Sequence, residues 1–263
     1  MNLIARFYRE EEPLRGLVRD LIRDPRASVL DLGCRKGEIS RSLAESAGRA
    51  TALDKVYFED WKIPAPGLRF VNGDALALPF KDESFDKAVS CECLQYLDDP
   101  QAALREIHRV LKPGGMLALT FPEGNWTGVF FDPYRLSDAF LRALGLRSGA
   151  KTHFRPPRLK EVLAFSAPDW ETRTVLRRGT LLFKWAAWLA EKLCLCRSKL
   201  AAPGLDRLAG GLFEPAVGIL FAWMKFDFSL SLSSLSYNNI LLLRKKTGGR
   251  APCDRPSSHD GIS

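Results

Sequence analysis

The sequence predicts an α/β fold built on an open, doubly wound sheet of seven strands, and three observations predict it. Apolar runs of strand length alternate along the first half of the chain with segments of 8 to 12 residues whose apolar positions recur at helical spacing. That order feeds parallel strands through crossover helices. The stretch at 27–37, ASVLDLGCRKG, sets Val29, Leu30 and Leu32 around one acid, Asp31, and closes on Gly33 and Gly37. It reads as a central strand turning sharply into a helix, with glycines that let backbone approach a ligand. Three acids, Asp31, Asp54 and Asp74, fall at or just past the ends of three such strands. Ligands of open α/β sheets bind at the carboxyl ends of the strands where strand order reverses, so the three carboxylates are expected around one crevice.

Each element follows from its own residues. Residues 3–23 read as a helical opening interrupted near Pro13, with Leu14, Leu17, Val18, Leu21 and Ile22 on one core-facing stripe. After the first strand and its turn, residues 38–47 continue as a helix that Gly48 ends. Residues 50–53 make a second strand finishing in Asp54, and residues 68–72 a third closed by Gly73 and Asp74. SFDKAVSC at 84–91 is the fourth strand. Residues 100–111 form a helix with Ala103, Leu104, Ile107, Val110 and Leu111 on one face, and His108 on it is expected to be a plain surface residue. KPGG at 112–115 signals a turn, and residues 116–121 are the fifth strand.

The second half is less regular. Residues 133–144 read as helix, 145–157 as a basic loop, 159–165 as a short helix and 170–178 as a strand, with YNNILLLR at 237–244 as the last strand. Residues 1–178 and 237–246 are expected to form the core, 179–236 an apolar helical insertion or cap before the last strand, and 247–263 a disordered polar tail. Within the insertion, residues 181–196 place Leu181, Leu182, Trp185, Trp188, Leu189 and Leu193 on one side at helical spacing, and residues 211–228 add a second apolar segment. Their uncharged runs are much shorter than the roughly 18 to 20 residues of a membrane span. Tryptophans beside Lys and Arg suit either a helix lying in a lipid interface or a cap that builds a lipophilic pocket.

With 263 residues and 46% hydrophobic content, the chain can bury a full core. The opening MNLIARFYREEEP is charged within six residues and lacks an apolar signal region, so a cytoplasmic protein is expected. Six cysteines include two C-x-C pairs and no C-x-x-C pair, beside only three histidines; reduced thiols are expected, and no metal site. The net charge of +8 gathers in the second half, with seven basic residues against one acid at 135–160 and the same count at 173–199. Such a field favours anionic partners, whether a small acceptor or an anionic membrane. Nucleic acid is disfavoured, because the aromatics sit within Leu and Ala runs and do not interleave with the basic residues. A nicotinamide-dependent oxidoreductase is disfavoured too, since Gly37 is followed by Glu38 and Ile39 and G-x-G-x-x-G is lacking.

VLDLGCRKGEIS, then ALDK, then FVNGDALALPFKDESFDKAVSCECLQYLDDPQAALREIHRVLKPGGMLALTFP, is similar to the motif series of class I S-adenosylmethionine-dependent methyltransferases of the UbiE-like type. The resemblance spans roughly residues 20–122, with weaker correspondence at 170–178 and the closing strand, and it implies the Rossmann-like methyltransferase sheet. It implies S-adenosylmethionine as cofactor. Gly33 and Gly37 match glycines of the first motif, and Asp31 its strand-end acid, which orders the loop and helps hold the amino acid part of the cofactor. Asp54, followed by Lys55, matches the acid that accepts from the ribose hydroxyls, a task suited to a carboxylate because it takes two donors at once. Asp74 with Ala75 matches the pair beside the adenine, and Cys91 with Glu92 the backbone passing the methionine and the transferred methyl. Arg35 stands where the family usually has glycine; its guanidinium would reach the cofactor's carboxylate or its bulk would press on the carboxypropyl arm.

The implied activity is methyl transfer to a small lipophilic or lipid-linked acceptor, by O- or C-methylation, from a cytoplasmic protein peripheral to the inner membrane face. The alternative is a non-catalytic cofactor-binding or assembly protein on the same fold. An oxygen or acidic carbon acceptor needs a base, and Asp132, Tyr134 and His153 are the groups available after the fifth strand, with no pattern selecting one. Tyr8 is a candidate lid residue.

Overall fold

In the computed structural model the described residues are 18–20, 22–124, 155–179 and 238–247, together with scattered helical positions at 136–140, 185–193 and 215–227. The strands are β1 (Ser28–Leu32), β2 (Arg49–Asp54), β3 (Leu68–Asn72), β4 (Phe85–Cys91), β5 (Leu111–Pro122), β6 (Trp170–Arg178) and β7 (Asn238–Lys245). The helices with full bounds are α1 (Glu38–Ala47), α2 (Pro100–Val110) and α3 (Leu159–Ser166). All seven strands join one sheet in the order β3-β2-β1-β4-β5-β7-β6. The sequence reverses direction across the sheet between β1 and β4, which sets the switch point there.

The parallel pairing expected where strands alternate with helices holds over β1–β5, and the last strand departs from it. β1 pairs parallel with β2 and β4, β2 with β3, and β4 with β5, but β7 runs antiparallel to both β5 and β6. The fifth strand is also longer than KPGG suggested. It begins at Leu111, opposite Phe85, and resumes with Met116 opposite Lys87, so Lys112–Gly115 bulges out within the strand bounds and does not precede them. Gly114 takes φ 74 in that bulge.

Alternation along β1 divides the core. Leu30 and Leu32 face a cluster with Leu104, Ile107 and Val110 of α2 and Val162 of α3, while Val29 faces Leu43, Ala44 and Ala47 of α1 with Val18 and Ile22. Each fully buried side chain of this size contributes roughly 1.5–3 kcal/mol. Gly37 and Gly48 bound α1 in the left-handed region, φ 85 and 75, and the Gly48 amide caps Ala44 O. Asp99 caps α2 by accepting from the Ala102 amide at 2.9 Å, with Pro100 at the first position.

His108 is not the plain surface residue expected. Its ring lies edge-on to Trp170, centroids 5.2 Å apart, and its buried Nε2 has no hydrogen-bond partner. Burial holds its pKa below the ordinary histidine value. At the amino end of the sheet, Asp86 accepts from the Ser28 amide (2.9 Å) and hydroxyl (2.7 Å) and from Lys112 Nζ (2.7 Å), tying the starts of β1, β4 and β5.

Candidate functional site

The turn after β1 is shaped by contacts that leave no room for side chains at two positions. Gly33 has φ 76, and a Cβ there would lie 2.5 Å from Cys93 Sγ; Gly37 has φ 85, and a Cβ would lie 2.5 Å from Phe70 Cζ. The Gly33 and Cys34 amides both donate to Leu53 O, at 2.8 and 3.1 Å, stitching the turn to the end of β2. Asp31 is buried and accepts from the Ser40 hydroxyl at 2.5 Å, which fixes the first turn of α1 over the strand end.

Arg35 takes φ 49, the left-handed region in which glycine is at ease, and its side chain is exposed. Its backbone is held from two sides: the amide donates to Asp54 Oδ2 at 2.8 Å, and the carbonyl accepts from Trp61 Nε1 at 2.6 Å. Trp61 stacks on Phe70, centroids 5.1 Å apart and planes 9° off parallel, and Phe70 is the ring behind Gly37. Trp61, Phe70, Ser40, Cys93 and Thr120 shape the site, although sequence reasoning assigned none of them a role there. A shallow cavity of about 360 Å³ opens on the outer side of this stack, between Tyr57, Trp61, Ile63, Arg69 and Phe70, away from the three acids.

Asp54 Oδ1 accepts from the Val56 amide at 2.9 Å. Each oxygen of this half-exposed carboxylate thus has one backbone donor and a lone pair left for another. Lys55 Nζ lies 2.9 Å from Asp74 Oδ2, and the Leu76 amide donates to Asp74 Oδ1 at 2.9 Å. The Leu76 amide first, and Lys55 second, hold the Asp74 carboxyl below the usual range; the hydrogen bond that Lys55 donates to Asp74 raises Lys55. Ala75 beside it is buried. Asp31, Asp54 and Asp74 therefore meet along the carboxyl ends of β1, β2 and β3, as one side of the crevice.

The other side is the end of β4. Cys91 closes that strand, and Glu92 takes φ 51, its amide donating to Thr120 O (3.0 Å) and Oγ1 (3.1 Å) on β5. Gln95 Nε2 donates to Glu92 O at 2.8 Å, and Gln95 O accepts from the Arg155 amide at 2.7 Å. Cys34, Cys91 and Cys93 take part in no disulfide. Burial, then the charges of Asp31 and Asp54, drive Cys34 far above the ordinary thiol value, and burial followed by Asp54 takes Cys93 to about 12. Both stay protonated and unreactive at neutral pH. Among the described residues no three His, Cys, Asp or Glu side chains converge as a metal site. Asp132, Tyr134, His153 and Tyr8 lie outside the described residues.

Residues 30–119 match the family described as "Methyltransferase domain". A malonyl-(acyl-carrier protein) O-methyltransferase of Pseudescherichia vulneris is 38% identical over 104 residues, covering 36% of this chain and 38% of that protein. A demethylmenaquinone methyltransferase of Streptomyces griseus is 33% identical over 126 residues, covering 47% of this chain and 50% of that protein. The chain thus spans half or less of the length of either relative. Among solved structures, the (4+2)-cyclase SpnF is similar with a TM-score of 0.58 at 22% identity, over 90% of this chain and 81% of that one, a likeness of fold.

Proposed function

We propose that the chain, whose residues 30–119 match a methyltransferase domain, is a class I S-adenosylmethionine-dependent methyltransferase of the UbiE-like type and transfers a methyl group to a small lipophilic or lipid-linked acceptor. The observation carrying the cofactor reading is the fit of the crevice. Gly33 and Gly37 present bare backbone in conformations that side chains resist, and Asp54 keeps acceptor capacity on both oxygens. When bound, S-adenosylmethionine supplies an electrophilic methyl on a positively charged sulfur.

This chain's own residues do the holding and aligning. Asp54 accepts from the ribose hydroxyls. Asp31, fixed by Ser40, orders the turn whose backbone meets the amino acid part, with Arg35 contributing its amide and carbonyl geometry. Asp74 and Ala75 border the adenine, with Lys55 orienting the carboxylate of Asp74. Cys91 and the strained Glu92 backbone set the wall past which the acceptor approaches. Alignment of acceptor and methyl is the larger part of catalysis here; the proton of a hydroxyl acceptor goes to a base among Asp132, Tyr134 and His153.

A lipophilic acceptor is supported by the apolar residues exposed at the insertion, Ile219 at 69%, Phe226 at 57% and Trp223 at 48%, which follow the basic runs at 135–160 and 173–199. The name of one relative, a demethylmenaquinone methyltransferase, points the same way. No helix among the described residues is long and apolar enough to cross a membrane, and we place the protein peripherally, at the inner face. Incubation with S-adenosylmethionine labelled in its methyl group and a bacterial lipid extract tests the activity: label moving into the organic phase supports it, and label staying with the cofactor while the protein binds that cofactor overturns it.

A further inference from the structure

The carboxyl edge of the sheet holds a second set of polar side chains that the cofactor residues leave unused. β7 enters the sheet there through Asn238 and Asn239, which are 1% and 0% exposed. Asn239 Nδ2 donates to Glu123 Oε2 at 2.9 Å, and Arg177 Nη2 lies 3.6 Å from the same oxygen. Glu123 Oε1 accepts from the Leu159 amide at 3.4 Å. The Glu123 carboxylate thus pins the ends of β5, β6 and β7 and the start of α3. Asn238 is different: both its Oδ1 and its Nδ2 are buried with no hydrogen-bond partner. Native interiors strand few polar atoms, because each one gives up its water for nothing, and a whole stranded amide at a sheet edge asks for a ligand.

Position says which ligand. Asn238 pairs with Pro122 of β5, and two residues along, Ile240 pairs with Thr120, the residue that receives the Glu92 amide from the end of β4. Two strand spacings, about 10 Å, separate the end of β4 from β7. That is the span of a small molecule whose reacting atom sits at β4. The chemistry of the amide narrows it further. Asn238 offers two N–H donors and one carbonyl acceptor, so its complement both donates and accepts. A hydroxyl does this. A carboxylate or phosphate only accepts and would leave Oδ1 stranded. Asn239 Oδ1 and Arg177 Nε are also buried without partners, but successive strand residues alternate faces, so they lie on the other side of the sheet and serve the Glu123 tie.

We propose that Asn238 reads a hydroxyl group of an uncharged, apolar methyl acceptor, with Glu123, Asn239 and Arg177 positioning the strand end that carries it. The role of that ligand as acceptor rests on the methyl-transfer reading; its binding at Asn238 does not.

The test uses phenol, a hydroxyl on an apolar ring, and benzoate, an anion on the same ring. Each is titrated into the full chain saturated with S-adenosylhomocysteine, while the side-chain amide resonance of Asn238 is followed by nitrogen-15 NMR. Phenol is expected to shift that resonance saturably, with a dissociation constant on the order of millimolar for a ligand of this size. Benzoate is expected to bind at least about fivefold more weakly, and Asn238→Leu to lose phenol binding about tenfold while keeping its affinity for S-adenosylhomocysteine within about twofold. An unmoved Asn238 resonance, a preference for benzoate, or undiminished phenol binding by Asn238→Leu each overturns the proposal. If Asn238→Leu does not fold, the phenol and benzoate titrations of the unaltered chain decide alone. Calorimetry of S-adenosylhomocysteine on the same sample separates the two readings: its failure to bind sinks methyl transfer, and the phenol titration then runs on the cofactor-free chain.

Discussion

Arg35 holds a left-handed backbone, φ 49, at a cost of roughly 1 kcal/mol that a glycine would not incur. What it gives the site is main chain: an amide to Asp54 and a carbonyl to Trp61, both of which glycine retains. Arg35→Gly is therefore expected to raise stability by about 0.5–1 kcal/mol in denaturant melts and to leave cofactor affinity within about threefold. A tenfold loss in calorimetry would instead make the exposed guanidinium a ligand. Gly37 lies at the opposite extreme. Its φ of 85 and the Phe70 ring 2.5 Å from where a Cβ would sit mean that Gly37→Ala must strain the backbone and push the Trp61–Phe70 stack. A loss of about 2 kcal/mol, seen as a fall in Tm of roughly 4–8 °C, is expected for a chain of this size, together with weakened cofactor binding.

Elements were legible in the sequence where a residue marks their ends chemically. Gly37 and Gly48, both left-handed, bound α1 at the limits the pattern predicts. Lys112–Gly115 misled because Pro-Gly-Gly suits a bulge as well as a turn, and only pairing with Phe85 and Lys87 decides between them. The direction of β7 is set by how the chain returns to the sheet and is written in no local residue. His108 was misjudged because Trp170, distant in sequence, buries it. In the site, the acids at strand ends could be read from spacing, whereas Ser40, Trp61, Phe70 and Cys93 act by touching a turn from other elements, and Asn238 by what it fails to touch. Asp86 gives the elements a pH dependence. Burial pushes its carboxyl up, but Lys112 and Ser28 outweigh this and hold it at about 2, below the unfolded value near 4. The stabilisation is thus complete above pH ~4 and lost as pH falls toward ~2; with about a third of the side chain exposed, it is worth about 1 kcal/mol after screening. Asp86→Asn is expected to lose that amount at pH 7 and to flatten the acid limb of a urea-midpoint titration; an unchanged limb would remove Asp86 from the ties between β1, β4 and β5.

At the scale of the whole molecule, the proposed cofactor crevice is built from the first half of the chain, whereas the basic runs lie in the second. Exposed Trp185, Ile219, Trp223 and Phe226 beside the basic runs are expected to bring the chain onto anionic liposomes at low salt, and deletion of residues 181–228 to abolish that sedimentation. Protein that stays in the supernatant at low salt leaves the insertion as a cap over a lipophilic pocket. The proposed methyl transfer requires that the crevice of Asp31, Asp54 and Asp74 bind S-adenosylmethionine, and isothermal titration calorimetry measures this directly. The expected result is one-to-one binding with a dissociation constant on the order of micromolar, weakened at least about tenfold by Asp54→Ala. Absence of heat from a folded, monodisperse sample, or full affinity in Asp54→Ala, would contradict it.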